Sequence, residues 1–232
     1  MTTKNMKPGN VNGKNQPRES LTQARIIEGA VKLADEIGVD ALTIRKLAAA
    51  LNVKPMTIYY YVANKEAIID GMVDKVFSEI DFPPVDTHWK SAIRHRSASA
   101  RAVLIKHPWA VPLMESRTTP GSATLRHHDA VLGCLREGGL SVEMTAHAYA
   151  VIDAFIYGFA IQEANLPATS GKEMNDLAET VVDTMPAHEY PHLMELTTKH
   201  VLQPGYDFGN EFEFGLNLIL DGLDNLSKSR GD

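Results

Sequence analysis

The chain has 232 residues, 44% of them hydrophobic, and a net charge of −6, which provides for a substantial core and excludes wholesale disorder. No unbroken apolar run reaches the roughly 18 residues of a membrane span, and Met1–Ser20 lacks the apolar stretch of a signal peptide. A lone Cys134 can form neither an internal disulfide nor a cysteine zinc site, so a cytoplasmic protein with no cofactor, metal or membrane partner is expected. The charge is unevenly spread: residues 1–80 carry 11 Lys/Arg against 9 Asp/Glu, and the remaining 152 carry 12 against 20. A slightly basic head on an acidic body suits a protein that presents one end to phosphates, though many enzymes share such asymmetry.

Residues 1–20 are rich in Asn, Gly, Lys and Pro and read as a disordered arm. Its Lys4, Lys7, Lys14 and Arg18 either touch DNA or simply keep a tail solvated. Order is expected from Ser20, which with Gln23 has capping-box spacing. Ala24, Ile27, Val31 and Ala34 then form one apolar stripe, and Gly38 stops the helix. A second helix is capped by Thr43, buries Ile44, Leu47, Ala48 and Leu51, and ends at Asn52. Pro55 suits a first helical turn, and Asn64 caps a helix from about Lys65 to Ile80. Three short elements with tight turns are the outline of a helix-turn-helix.

Asp81–Val85, with two consecutive prolines, is the expected boundary between domains at 21–80 and 81–232. Beyond it every segment reads helical: about 87–106, 109–117, 122–137, 141–165, 172–184, 192–202 and 209–226. The predicted fold class is all-α, a three-helix reading head followed by a larger helical domain.

On a helix from Pro55, Ile58 and Val62 share one side, while Met56, Thr57 and Tyr60 lie opposite and Tyr59 and Tyr61 on the flanks. The outer face then suits a major groove. Thr57 and Tyr60 could meet base edges, Met56 a thymine methyl, and the flanking tyrosines and Lys65 phosphates. Thr43 and Arg45 open the preceding helix, where a phosphate or a guanine is in reach, and Lys54 precedes the reading helix. The competing reading is three half-buried core tyrosines in an ordinary helical bundle.

Residues about 21–70, through IIEGAVKLADEIGVDALTIRKLAAALNV and TIYYYVANKEAI, resemble the tetracycline-repressor (TetR) family of bacterial regulators. The resemblance implies a homodimer that reads a double-stranded operator and answers to a small-molecule effector. It implies phosphate and base contacts for Thr43, Arg45, Thr57, Tyr59, Tyr60, Tyr61 and Lys65. Lys54-Pro55-Met56 departs from the small residue common before the threonine. Residues about 100–165 resemble, more weakly, the tetracycline repressors themselves. Leu113, Ser116 and Gln162 stand where those proteins hold the drug and its magnesium with a His, a Thr and a Glu. Leucine cannot ligate Mg²⁺, so magnesium-tetracycline is not the expected effector.

Phe212, Leu216, Ile219, Leu223 and Leu226 follow a four–three spacing that reads as a dimer seam, to which Phe155 of the apolar segment 141–165 adds. The alternative is that both helices are internal core. A pocket is expected among the helices of 87–165, with Trp109, Leu113, Met114, His147, Phe155 and Tyr157 as candidate lining. His127-His128-Asp129, with His95 or His107 and Asp153, also resembles the ligand order of helical metal-dependent phosphohydrolases, the rival enzyme reading; an orphan regulator without effector is the third.

Overall fold

The computed structural model describes residues 20–229, so the arm predicted at 1–20 lies outside the described residues. Among the described residues eleven α-helices follow one another: α1 Gln23–Ile37, α2 Ile44–Ala50, α3 Pro55–Ile58, α4 Lys65–Glu79, α5 Trp89–Lys106, α6 Val111–Met114, α7 Ser122–Glu137, α8 Val142–Asn165, α9 Gly171–Thr184, α10 Pro191–Leu196 and α11 Asn210–Ser229. A 3₁₀ turn, Pro108–Ala110, precedes α6, and a π turn, Thr197–Val201, extends α10. The described residues contain no strand beyond an isolated bridge between Ser170 and Asp207.

Caps fix the helix ends. Thr22, rather than Ser20, caps α1 by accepting from Arg25 N, so the capping-box expectation was two residues early. Thr43, Asn64 and Ser141 cap α2, α4 and α8 as their sequence spacing predicts. Gly38 and Asn52 adopt positive φ, 78° and 54°, which is what turns the chain between the first three helices. The α1 stripe is Ile26, Ile27, Ala30, Val31 and Ala34; Ala24 is exposed.

α4 joins head to body, packing against α1 on one side and α7 on the other. One contiguous apolar core runs from Ile26 in α1 through Phe77, Trp89 and Leu135 to Leu223 in α11. α8 is long and apolar enough to cross a membrane by length and composition, with a mean hydropathy of 1.3 over 18 residues. The sequence expectation considered only unbroken apolar runs, which Asp153 and the interspersed Thr, His and Tyr interrupt. Within the fold α8 packs against α5, α7 and α11.

Candidate DNA-reading and effector sites

The four-residue α3 begins with Pro55, whose missing N–H costs nothing at a first helical position, and unwinds after Ile58. Tyr61 N and Val62 N both donate to Ile58 O, at 3.0 and 3.2 Å, so the chain leaves the helix in a tight turn. Ile58 and Val62 are buried against the head's core. Tyr60 projects furthest, 85% exposed, with Met56 at 68%, and Tyr59 and Tyr61 at 44% and 43%. Thr57 is half-buried, while Thr43, Arg45, Lys54 and Lys65 are exposed. The nine residues proposed to face DNA therefore flank the turn from α2 to α4, and the three tyrosines are surface side chains rather than core.

The body departs further from expectation. Trp109 is buried, but its indole N–H donates to Asp35 of α1 at 2.7 Å, facing the head rather than a pocket. His107, also buried, places Nδ1 2.7 Å from the same carboxylate and Nε2 3.2 Å from Glu79 of α4. Burial opposes ionisation of Glu79, yet hydrogen bonds from Lys106 and His107 outweigh it and hold the carboxyl at about 2. His147 is exposed beside Glu143 on the surface of α8. Phe155 stacks on Phe212 with ring centroids 5.3 Å apart, filling the space between α8 and α11. These three residues do not line a common pocket. Met114 does line a cavity of roughly 190 Å³, together with Val73, Thr124, Leu125 and His128, and Leu113 packs half-buried near it. A larger groove of roughly 660 Å³ opens among α5, α8 and α11, lined by Arg94, Arg101, Glu163 and Asn210. None of the six pocket candidates lines it.

Sequence reasoning missed the principal feature of the body, a buried polar cluster. Arg96 is 1% exposed, donates from Nη1 to Asp153 Oδ1 at 2.5 Å and from Nε to His127 Nε2 at 2.9 Å. Burial, then the Arg96 charge and His128, push His127 down to about 3. The Tyr149 hydroxyl pairs with His128 Nδ1. Burial, with Asp153 adding to it, pushes the Tyr157 hydroxyl well above the ordinary phenol range. The signal was available: Arg96 falls on the buried stripe of α5 with Trp89, Ile93, Ala100 and Leu104, and His127 on that of α7 with Ala123, Val131 and Leu135. A charged or polar residue on a core stripe is rare unless partnered.

The residues of the rival metal site are dispersed or otherwise engaged. Asp129 is exposed and His95 lies 3.6 Å from Asp81 at the surface. His127 and Asp153 do converge, but on the guanidinium of Arg96, a cation where a metal would stand. Ser116 and Gln162 are exposed and Leu113 is half-buried.

The proposed seam on α11 also needs correction. Phe212, Leu216 and Leu223 are buried within the chain's own core, as is Leu220, and Ile219 is half-buried. The four–three spacing marks the inward face. Only Leu226, the last member of that spacing, is more than half exposed, and the outward apolar face of α11 carries Phe214 and Leu218, about 70% exposed. Val151, Ala154, Gly158 and Ile161 form the exposed face of α8.

α7 reaches α4 through one contact of particular form. Gly121, the N-cap of α7, has no side chain to cap with, and Asp74 of α4 supplies the acceptor instead. Asp74 Oδ1 accepts from Thr124 N at 2.8 Å and Thr124 Oγ1 at 2.9 Å. A Cβ on Gly121 would collide with that carboxylate. Arg117 adds a second tie to α4, 2.8 Å from Glu66.

The family model described as "Bacterial regulatory proteins, tetR family" matches residues 26–72, and that described as "Tetracyclin repressor-like, C-terminal domain" matches 82–226. Among curated proteins, the chain is 28% identical to the HTH-type transcriptional repressor DrrR1 of Streptomyces coeruleorubidus, over 92% of this chain and 81% of that one. It is 26% identical to the class C tetracycline repressor protein of Escherichia coli, over 91% and 94%. Among solved structures, ActR from Streptomyces coelicolor in complex with actinorhodin superposes with a TM-score of 0.71 at 26% identity, over 90% of this chain and 99% of that one.

Proposed function

Because the chain belongs to the tetracycline-repressor family, we propose that it represses transcription as a homodimer bound to a palindromic operator and is released by a small-molecule effector. It is a DNA-binding transcriptional regulator whose relatives are repressors rather than enzymes. The observation that carries the reading is the inverted surface of the head, where Tyr60, Met56, Tyr59 and Tyr61 stand out from a buried Ile58 and Val62. Tyrosine hydroxyls on a short element after a helix capped by Thr43 can donate to phosphates and base edges, and Met56 can meet a thymine methyl. Thr43, Arg45, Lys54, Met56, Thr57, Tyr59, Tyr60, Tyr61 and Lys65 are the proposed DNA contacts.

The exposed apolar faces of α8 and α11, Val151, Ile161, Phe214 and Leu218 among them, are the proposed dimer seam, since a patch of this kind marks an interaction surface. Two-fold symmetry would set the reading elements about 34–36 Å apart, on successive major-groove faces. ActR is described in complex with actinorhodin and with (S)-DNPA, which supports effector control here. The route we assign runs from α7 through Asp74 to α4, and from α4 to the head. A coupling of about 1–3 kcal/mol would change operator affinity about 5- to 150-fold.

Selection from a random pool of double-stranded DNA by the purified protein tests this. A recovered short palindrome is the expected result. Binding that is only salt-sensitive and indifferent to sequence would overturn the operator assignment.

A further inference from the structure

Seven side chains in the body are enclosed yet keep a polar atom without a hydrogen-bond partner, among them Arg96 Nη2, His127 Nδ1, Asp153 Oδ2 and Tyr157 Oη. Buried polar atoms are nearly always satisfied, so a cluster of exceptions marks where another molecule completes the structure. The hydrogen positions follow from the contacts. Arg96 Nε–H donates to His127 Nε2, so that nitrogen carries the lone pair and the neutral ring holds its hydrogen on Nδ1. The depressed basicity of His127 keeps the ring neutral near pH 7. The cluster therefore presents two fixed donors, Arg96 Nη2 and His127 Nδ1, and one open acceptor, Asp153 Oδ2, beside a neutral phenol. Its formal charges already cancel, because Asp153 offsets Arg96. An incoming carboxylate would add an uncompensated charge to the interior, whereas an uncharged acceptor oxygen would not.

The surroundings combine aromatic rings with a cavity of mixed polar and apolar lining. Phe77 of α4 lies against both histidines, with ring centroids 5.6 Å from His127 and 5.1 Å from His128. His128 also lines the cavity that Val73, Met114 and Leu125 share with Asp70, Glu115 and Arg117, and pairs on its other side with Tyr149. Resting on the reading above that the body answers to a small molecule, we propose that Arg96, His127 and Tyr157 anchor the effector, and that the effector is an uncharged aromatic molecule bearing a carbonyl oxygen. The oxygen takes the Arg96 and His127 donors, and the ring system extends past Phe77 and His128 toward the cavity. Binding there presses on α7 and α4, the two helices that Asp74 and Thr124 tie together.

The test uses the full-length protein, its selected operator and a set of uncharged aromatic ketones of graded size: 1-tetralone, 9-fluorenone, xanthone and flavone. Fluorene and xanthene supply two of the same frames without the carbonyl, and 1-naphthoate supplies a carboxylate. At least one ketone should raise the melting temperature and release the operator at micromolar concentration. Its carbonyl-free counterpart should act at least about tenfold more weakly, as loss of a hydrogen bond to a charged group implies. The shift should vanish in R96M/D153L, which replaces the ion pair with apolar side chains of similar volume and whose folding its own melting transition reports. Should that variant not fold, His127→Met, which removes one neutral donor, takes its place. The proposal is overturned if no ketone acts, if fluorene and xanthene act equally, if the response survives in the variants, or if 1-naphthoate acts best. Each of those results leaves operator selection standing, whereas failure to select an operator removes the regulator reading itself.

Discussion

In the head, every buried side chain among the described residues is apolar, and the unusual residues are outside: Tyr60, Met56, Tyr59 and Tyr61 face solvent. In the body the inversion runs the other way. Arg96, His107, His127 and Asp153 are enclosed, and each buried polar residue among the described residues lies beyond residue 90. Both arrangements cost free energy in the isolated chain, the first by wetting apolar surface and the second by desolvating polar groups. The two costs are offset by different things. An exposed aromatic loses nothing that folding needs, so the head is stable with its reading surface bare. A buried charge must find its partner as the chain folds, so the Arg96–Asp153 cluster is part of the core that holds the body up.

The sharpest way to break this comparison is to unpair the interior. Asp153→Leu leaves the Arg96 guanidinium buried with only His127 as partner. It should cost about 3–5 kcal/mol in denaturant unfolding, while a trimmed head core such as Ile58→Val should cost about 0.5–1.5. Equal costs would mean that the cluster is well solvated and that the contrast with the head is false.

Next comes a change at the exposed site. Tyr60→Ala should weaken operator binding by about 1–3 kcal/mol, if its side chain reaches a base, and leave unfolding free energy within about 0.5 kcal/mol. Anisotropy titration with the selected operator reads the first and urea unfolding the second. A loss of stability without loss of affinity would return the tyrosines to a structural role.

The two regions also differed in how far they could be read from sequence. The head was legible because local rules decide it: Thr43 and Asn64 cap, Gly38 and Asn52 turn, and Ile58 and Val62 share a face. The helix spans of the body were legible on the same grounds, with Ser122–Glu137 recovered to the residue. Its sites were not, since they depend on which helices meet. Periodicity finds an apolar face of α11 but cannot say that Phe212 and Leu216 turn inward to Phe155 while Phe214 and Leu218 turn out. Sequence alone does not distinguish pocket lining from core for Trp109, because its partner, Asp35, is 74 residues away. A basic residue in a helix is normally solvated, which hides the burial of Arg96 from a sequence reading.

Acid should separate the regions more gently. The His127 ring titrates at about 3 in the fold against 6.5 free, so the unfolded chain binds the proton more readily. Its contribution is fully present above pH 6.5 and is lost as pH falls toward 3. Between about pH 7.5 and 5.5 that amounts to about 1.4 kcal/mol, and burial of His128 acts in the same direction. His127→Gln, whose amide oxygen can still accept from Arg96, should flatten the slope of unfolding free energy over this interval. An unchanged slope would place the titration elsewhere.

The smallest effect should come from the contact that joins the two regions. Asp74 caps a helix to which it does not belong, so Asp74→Ala should cost about 0.5–2 kcal/mol of stability, the usual loss on removing a helix cap. Loss of a cap alone would leave the ratio of operator affinities with and without effector intact. Loss of the link between α7 and α4 would instead shrink that ratio, because movement at His127 and His128 could no longer be felt along α4. Gly121→Ser separates the two: its own hydroxyl can cap α7, while its Cβ displaces Asp74. If Gly121→Ser recovers stability but not the effector response, Asp74 is the coupling between body and head; if it recovers both, Asp74 only closes a helix and the signal must cross elsewhere, with the buried contact of His107 and Trp109 to Asp35 next in line.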